Sequence, residues 1–233
     1  MDIYLEKTKL LDFEDHKIQA LIKDKEWSQL KDFEKMLGIY NFIRDEIKFG
    51  YNIDDNIPAS RVLQDGYGQC NTKGILFMAL LRAVNIPCRI HGFTIDKKLQ
   101  KGALKGIYYF LSPSEIVHSW VEIFYDSKWL DIEGFIIDKK YLGKLQEKFS
   151  NCNGYFCGYG VATIDFKNPQ IYWNKNNTYI QKEGIVKDFG IFNNPDEFFA
   201  KHSQQLSALQ KWLYKNVVRN LMNKNVEKIR EGM

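Results

Sequence analysis

A chain of 233 residues, 45% hydrophobic and 27% charged, is long enough to bury a real core, which excludes wholesale disorder. Its net charge of +4 does not describe the body: from residue 201 onward seven basic side chains stand against two acidic ones, leaving residues 1–200 near −1 and arguing against nucleic acid as a partner. The longest apolar run, Ile75–Leu81, ends at Arg82, far short of the roughly 18 residues of a membrane span. Met1–Glu6 lacks the basic-then-apolar order of a secretory leader, and four cysteines are too few for a disulfide scaffold, so a reducing cytoplasm is expected.

In chain order, Leu10, Leu11, Phe13, Ile18, Leu21 and Ile22 give a loose helical pattern over residues 8–25. Ser28 is a candidate cap for a second helix, whose apolar positions run from Leu30 to Ile47 at three- and four-residue steps. Asn, Asp and Pro mark 51–58 as loop, and Asp65-Gly66-Tyr67-Gly68 is a second break. From Cys70 to Val84 the chain is apolar nearly all round, the signature of a buried central helix. Arg89–Ile95 is β-prone, and Glu115–Tyr125 with Lys128–Ile137 reads as a hairpin turning at Asp126-Ser127. A lysine-rich stretch, Asp96–Ser114, lies between these strand regions as a short helix or flap. Residues 151–160 read as a Gly-rich loop, and polar, aromatic sequence without regular structure continues to Asn194. From Asp196 to about Arg230 one helix is expected, with Phe199, His202, Leu206, Leu209, Leu213, Val217, Leu221 and Met222 on its apolar stripe. Helices, then antiparallel strands, then a helical tail make the class α+β.

Cys70 opens the buried helix just after Gly66 and Gly68. Unpaired backbone N–H groups and the positive helix end favour a thiolate there, and the same N–H groups suit an oxyanion. A thiolate nucleophile needs a base, and the base an orienting acceptor. His118 lies on the first hairpin strand, and strand alternation puts Trp129, Asp131 and Glu133 together on one face of the return strand. The hairpin can therefore bring either Asp131 or Glu133 to His118. Gln64, six residues before Cys70, and Gln69 are second-tier oxyanion candidates, and Tyr67 and Trp120 are candidates for the substrate cleft. No metal or organic cofactor is called for: Cys152 and Cys157 form an incomplete zinc site, and no phosphate-binding Gly loop occurs. Cys88 reads as core, and His91 as a rival base.

Two segments resemble the transglutaminase-like superfamily. Tyr67-Gly68-Gln69-Cys70 with Gly74–Arg89 is similar to the family's nucleophile segment, and His118-Ser119-Trp120-Val121-Glu122-Ile123 with Lys128-Trp129-Leu130 to its histidine strand. The resemblance covers roughly residues 30–138. It implies a papain-like fold, with a nucleophile on a central helix packed on an antiparallel sheet, and a Cys-His-Asp triad. The family's aspartate usually stands four residues after the tryptophan; here that position is Glu133, which the gapless spacing favours over Asp131. The expected organisation is an N-terminal helical segment (1–29), a catalytic domain (30–195) and a basic amphipathic helix (196–233). The expected chemistry is acyl-thioester formation at Cys70 on a peptide, protein or amide substrate, resolved by water or by an amine. The alternative is a binding or scaffold protein that keeps the fold without turnover.

Overall fold

The computed structural model describes residues 1–233 and is organised around one helix. Helices α1 (His16–Asp24) and α2 (Asp32–Asp45) precede a short strand β1 (Lys48–Phe49), α3 (Ala59–Asp65) and β2 (Tyr67–Gly68), which pairs parallel with β1. The central helix α4 (Cys70–Ala83) comes next, then β3 (Cys88–Asp96), α5 (Gly106–Leu111) within the lysine-rich flap, and the hairpin of β4 (Glu115–Tyr125) and β5 (Lys128–Ile132). The second half adds α6 (Lys139–Lys148), the small hairpin β6 (Phe156–Gly158) and β7 (Val161–Thr163), β8 (Ile185–Phe192), α7 (Pro195–Lys201), α8 (Ala208–Leu213) and α9 (Arg219–Arg230). The class is α+β, and the main sheet is antiparallel with strand order β5-β4-β3-β8.

Every residue from Cys70 to Arg82 is buried, as a helix apolar on all sides requires. Gly74 of α4 faces Val121 of β4 and Phe135, and a Cβ there would meet them at ordinary contact distance (3.6 and 3.9 Å). The β4–β5 turn is made by Asp126 and Ser127, both at positive φ (51° and 61°), the geometry that matches the twist of a two-residue hairpin. A single apolar cluster runs from Leu10 and Ile18 through α4 and the sheet to Met222, Val226 and Ile229 of α9. No helix is long and apolar enough to cross a membrane.

The structure departs from the sequence expectations at several places. Ser28 lies in a 3-10 turn (Trp27–Gln29) and Lys31 precedes α2 instead, and β5 ends at Ile132 rather than Ile137. The N-terminal helix is confined to α1, because Leu10 and Leu11 are buried in the preceding irregular segment. The stretch expected to lack regular structure contains β8, which pairs with β3 and completes the sheet. The tail is also not one helix: residues 202–207 separate α7 from α8, and a π-type turn at Tyr214–Val218 joins α8 to α9. A π-turn inserts one residue into the helical repeat and rotates the residues after it about the helix axis. Of the expected stripe, Phe199 and Met222 are buried, whereas Leu209, before the turn, and Leu221, after it, are exposed; Val226 and Ile229 join Met222 in the core.

Lys73, one turn into α4, is fully buried and donates to Ile136 O (2.9 Å) and Arg44 O (3.2 Å). Burial outweighs the nearby Asp138 and Asp45 carboxylates and lowers its pKa to about 7. A lysine depressed in the fold penalises folding once the unfolded chain can protonate it. The penalty is absent above the ordinary value of 10.5, grows as pH falls from there to about 7, and is complete below. Lys73→Met is expected to gain stability relative to wild type by roughly 3–5 kcal/mol between pH 10.5 and pH 6.5. Urea denaturation at those two pH values measures the change, and a gap that does not widen toward acid would contradict the assignment.

Candidate active site

The N-terminus of α4 is set by the loop before it. Gln69 N–H donates to Thr72 Oγ1 (3.1 Å), and Gln69 Oε1 accepts from Asn52 N–H (2.8 Å). Asn52, fully buried, donates from Nδ2 to Asp65 Oδ2 (2.9 Å) and Tyr67 O (3.1 Å), so the loop at 52–55 is tied to the strand entering the helix. Gly68 has no space for a side chain, because a Cβ would stand 2.7 Å from Thr72 Oγ1. This packing presents Cys70 in the first turn of α4, where the N–H groups have no partner within the helix.

Asn71 fixes the spacing between α4 and β4. Its Nδ2 donates to Val117 O (3.1 Å) and its Oδ1 accepts from Ser119 Oγ (2.9 Å), so one amide grips the strand on both sides of His118. His118 is fully buried, and its Nε2–H donates to Glu133 Oε1 at 2.8 Å. A carboxylate only accepts, so the proton is assigned to Nε2. The other ring nitrogen, Nδ1, is buried without a hydrogen-bond partner in the protein. Burial disfavours the imidazolium, but the charge of Cys70 and the hydrogen bond and charge of Glu133 outweigh it and lift the His118 pKa to about 10. A protonated imidazole beside a thiol favours the nucleophilic thiolate.

Glu133 lies just past the end of β5, in register terms beyond the last pair Val121↔Ile132. There the chain leaves β4 and crosses to residues 178–182. Glu133 N–H donates to Thr178 O (3.0 Å), and Glu133 Oε2 accepts from the N–H groups of Ile180, Gln181 and Lys182 at 2.8, 2.9 and 3.1 Å. Both oxygens are thus committed, one to His118 and one to this cradle. Asp131 points elsewhere: its carboxylate accepts from Tyr179 OH at 2.6 Å.

Cys70 lines a cavity of about 850 Å3 with Gln69, Asn71 and Asp55 beside it. Burial, assisted by the charge of Asp54, raises the Asp55 pKa against the opposing Gln69 and Asn71 amides and His118. Asp55 and Asn71 are absent from the candidates that the sequence offers. Both stand in segments without a catalytic motif, and the one available signal is Asn71's place next to Cys70.

Other expectations for the site are corrected. Gln64 is exposed on α3, where its Oε1 accepts from Lys17 Nζ (3.0 Å), because six residues of helix and turn carry it off the Cys70 side. Tyr67 packs over Gly50, and Trp120 packs against Phe93 (ring centroids 4.2 Å apart); neither lines the cavity. Gln69 does line it, but its Nε2 is already given to Asp55 Oδ1 (2.8 Å). His91 is held by Glu122 (3.0 Å) and Asp188 (2.8 Å) on the sheet, so it does not serve Cys70. Cys88 is fully buried, and Cys152 and Cys157 are free thiols.

Residues 20–134 match the family model of the transglutaminase-like superfamily, a span that contains Cys70, His118 and Glu133. This span, about half of the chain, is similar to a transglutaminase-like core. Among solved structures, a candidate cysteine protease from Cytophaga hutchinsonii is similar, with a TM-score of 0.47 and 16% identity over 84% of this chain and 48% of its own. Red sea bream transglutaminase aligns at a TM-score of 0.31 and 18% identity over 56% of this chain and 25% of its own. The chain therefore spans about half the length of the first and a quarter of the second. No curated protein sequence matches it. The matched span ends at Glu133–Gly134, so the flap lies within it, whereas the cradle at 180–182 and the C-terminal helices lie beyond.

Proposed function

We propose that this protein is a thiol enzyme that forms an acyl-thioester at Cys70 and resolves it with water or an amine. The observation that supports this reading most is His118, held through Nε2 by Glu133 with Nδ1 left unpaired beside the Cys70 side chain. In this mechanism Cys70 Sγ attacks the substrate carbonyl carbon, and the thiol proton resides on His118 Nδ1. The first-turn N–H groups of α4 receive the developing oxyanion. His118 then gives its proton to the departing amine, leaving the acyl group on sulfur. Water or an acceptor amine attacks the thioester, transfers a proton through His118 and restores the thiol.

Iodoacetamide tests the activated sulfur directly. At pH 6.5 Cys70 is expected to alkylate about tenfold or more faster than Cys88 or Cys152, and His118→Ala removes the advantage. The advantage should be greatest in acid and fade as pH rises through about 8.5, where a thiol without an imidazolium neighbour ionises by itself. Peptide mapping by mass spectrometry reads each cysteine separately. Labelling of Cys70 no faster than Cys152 at pH 6.5 would sink the proposal.

A further inference from the structure

The cavity beside Cys70 has a polar end and a mixed wall. Gln69, Asn71 and Asp55 adjoin Cys70, and Gln100, Ser112, Gln204 and Gln210 line it farther along. Much of the remaining wall is apolar and comes from two other segments: Leu99, Leu104 and Tyr108 from the flap, and Leu206, Leu213 and Val218 from the C-terminal segment. At about 850 Å3 the space falls in the range of roughly 300–1,000 Å3 in which proteins bury whole small molecules. It is far larger than a short acyl group fills.

The C-terminal segment also occupies the strand edge that an extended peptide would use. Beyond the end of β5, the edge of β4 next to His118 is free of any strand, and Gln204 takes it. Val117 N–H donates to Gln204 Oε1 (3.0 Å), and Gln204 Nε2 donates to Glu115 O (3.2 Å). Val117 O is held by Asn71, so a substrate backbone has no open ladder there. Farther along, Tyr214 OH donates to Asn52 O (3.1 Å), and Lys215 pairs with Asp54 (3.4 Å), closing the segment over the cavity. Its outer side and the flap are apolar as well: Phe110 is 76% exposed, Leu209 67% and Trp212 58%. Leu209 is also one of the side chains that line the cavity, so the apolar surface continues from outside to inside.

We infer that the acyl group carried by Cys70 is a long aliphatic one, with the carbonyl at the polar end and the tail under the flap and the C-terminal segment. This inference rests on the thiol-enzyme reading above. The carbonyl carbon bonds to Sγ as its bond to the leaving heteroatom breaks, and His118 delivers the thiol proton to that leaving group. Water then replaces sulfur, releasing a fatty acid and returning the proton to the thiol.

Nitrophenyl esters of acetate, hexanoate and decanoate, kept below their micelle concentrations, share one leaving group and differ only in the tail. Acylation at residue 70 is tracked by peptide mass spectrometry, with Cys152, outside the cavity, as the internal control. The rate at Cys70 relative to Cys152 is expected to rise about fourfold per methylene over the first several carbons, the equivalent of ~0.8 kcal/mol each. Leu206→Trp should lower the decanoyl-to-acetyl ratio by about tenfold or more by filling the tail space. A second measurement needs no turnover: decanoic acid should raise the melting temperature of Cys70→Ala, and acetate should not. If acetyl and decanoyl esters acylate Cys70 equally, the long-chain inference falls and the thiol-enzyme reading stands. If no ester of any length acylates Cys70, both fall.

Discussion

Glu133→Gln is expected to cut turnover by about 10^3–10^4-fold, while Asp131→Asn stays within a few-fold of wild type. The reason is the hydrogen-bond inventory around one buried carboxylate. Oε1 accepts from His118 Nε2–H, and Oε2 accepts from three backbone N–H groups of residues 180–182. An amide can present only one oxygen, so glutamine must turn its NH2 either toward the imidazole or toward the three N–H donors. Turned to the imidazole, it selects the tautomer with the proton on Nδ1 and removes the base from the Cys70 side. Turned to the cradle, it sets donors against donors in a site with no water access, at a cost of about 1–3 kcal/mol. Loss of the Glu133 charge also weakens the His118 imidazolium, so the alkylation advantage of Cys70 over Cys152 at pH 6.5 should shrink relative to wild type. Asp131→Asn loses only an accepted hydrogen bond from Tyr179, on a half-buried surface. Kinetics on an acylating ester and the alkylation profile decide between them, and comparable losses for the two variants would refute this assignment of the carboxylates.

Asp138→Ala is expected to be strongly destabilising, at about 3–5 kcal/mol. Asp138 is buried and ties α9, β1 and α6 together. It accepts from Arg230 Nη2 (2.8 Å), from Phe49 N–H (2.9 Å) and, as the cap of α6, from Tyr141 N–H (2.8 Å), while Arg230 also reaches Phe49 O (2.7 Å). Removing the carboxylate leaves the buried guanidinium with only Glu227 and Phe49 O as partners and uncaps α6 in one step. At about 2–4 °C per kcal/mol for a chain of this size, the melting temperature should fall by roughly 10 °C. Burial opposes the Asp138 carboxylate, but hydrogen bonding and charge from Arg230, with the N–H groups of Phe49 and Tyr141, hold its pKa below the usual 3.8. A depressed carboxylate stabilises the fold above its ordinary pKa and loses that contribution as pH falls through its folded value. The gap between wild type and Asp138→Ala should therefore be full at pH 6 and shrink in strong acid. A drop of under 1 kcal/mol at pH 6 would show that α9 is held by apolar packing alone.

The elements legible in the sequence are those set by neighbouring residues. The unbroken apolar run after Cys70 specifies a helix with no solvent face, and Cys70–Arg82 are buried without exception. Alternation in Glu115–Tyr125 and the Asp126-Ser127 turn specify a hairpin, and both turn residues take the required positive φ. Strand β8 is illegible for a related reason. It is an edge strand carrying Lys187, Asp188 and Gly190, so only one side of it is packed and its apolar alternation is broken. The buried face of the tail is hidden too, because one π-turn shifts the register of everything after Leu213, a change that no local periodicity announces.

The site divides along the same line. Placing a thiol at the start of a buried helix and a histidine on an antiparallel strand needs only local pattern, because helix and strand periods arise from adjacent side chains. The spacing after Trp129 already favours Glu133 over Asp131, but what holds Glu133 against His118 depends on the chain leaving β4 after Ile132 and meeting residues 178–182, nearly fifty positions later. The cavity likewise joins the flap to the segment at 204–218 across about a hundred residues of sequence. Such contacts are made by chain closure, whose geometry depends on how all the elements pack together, and so they are visible only in the folded molecule.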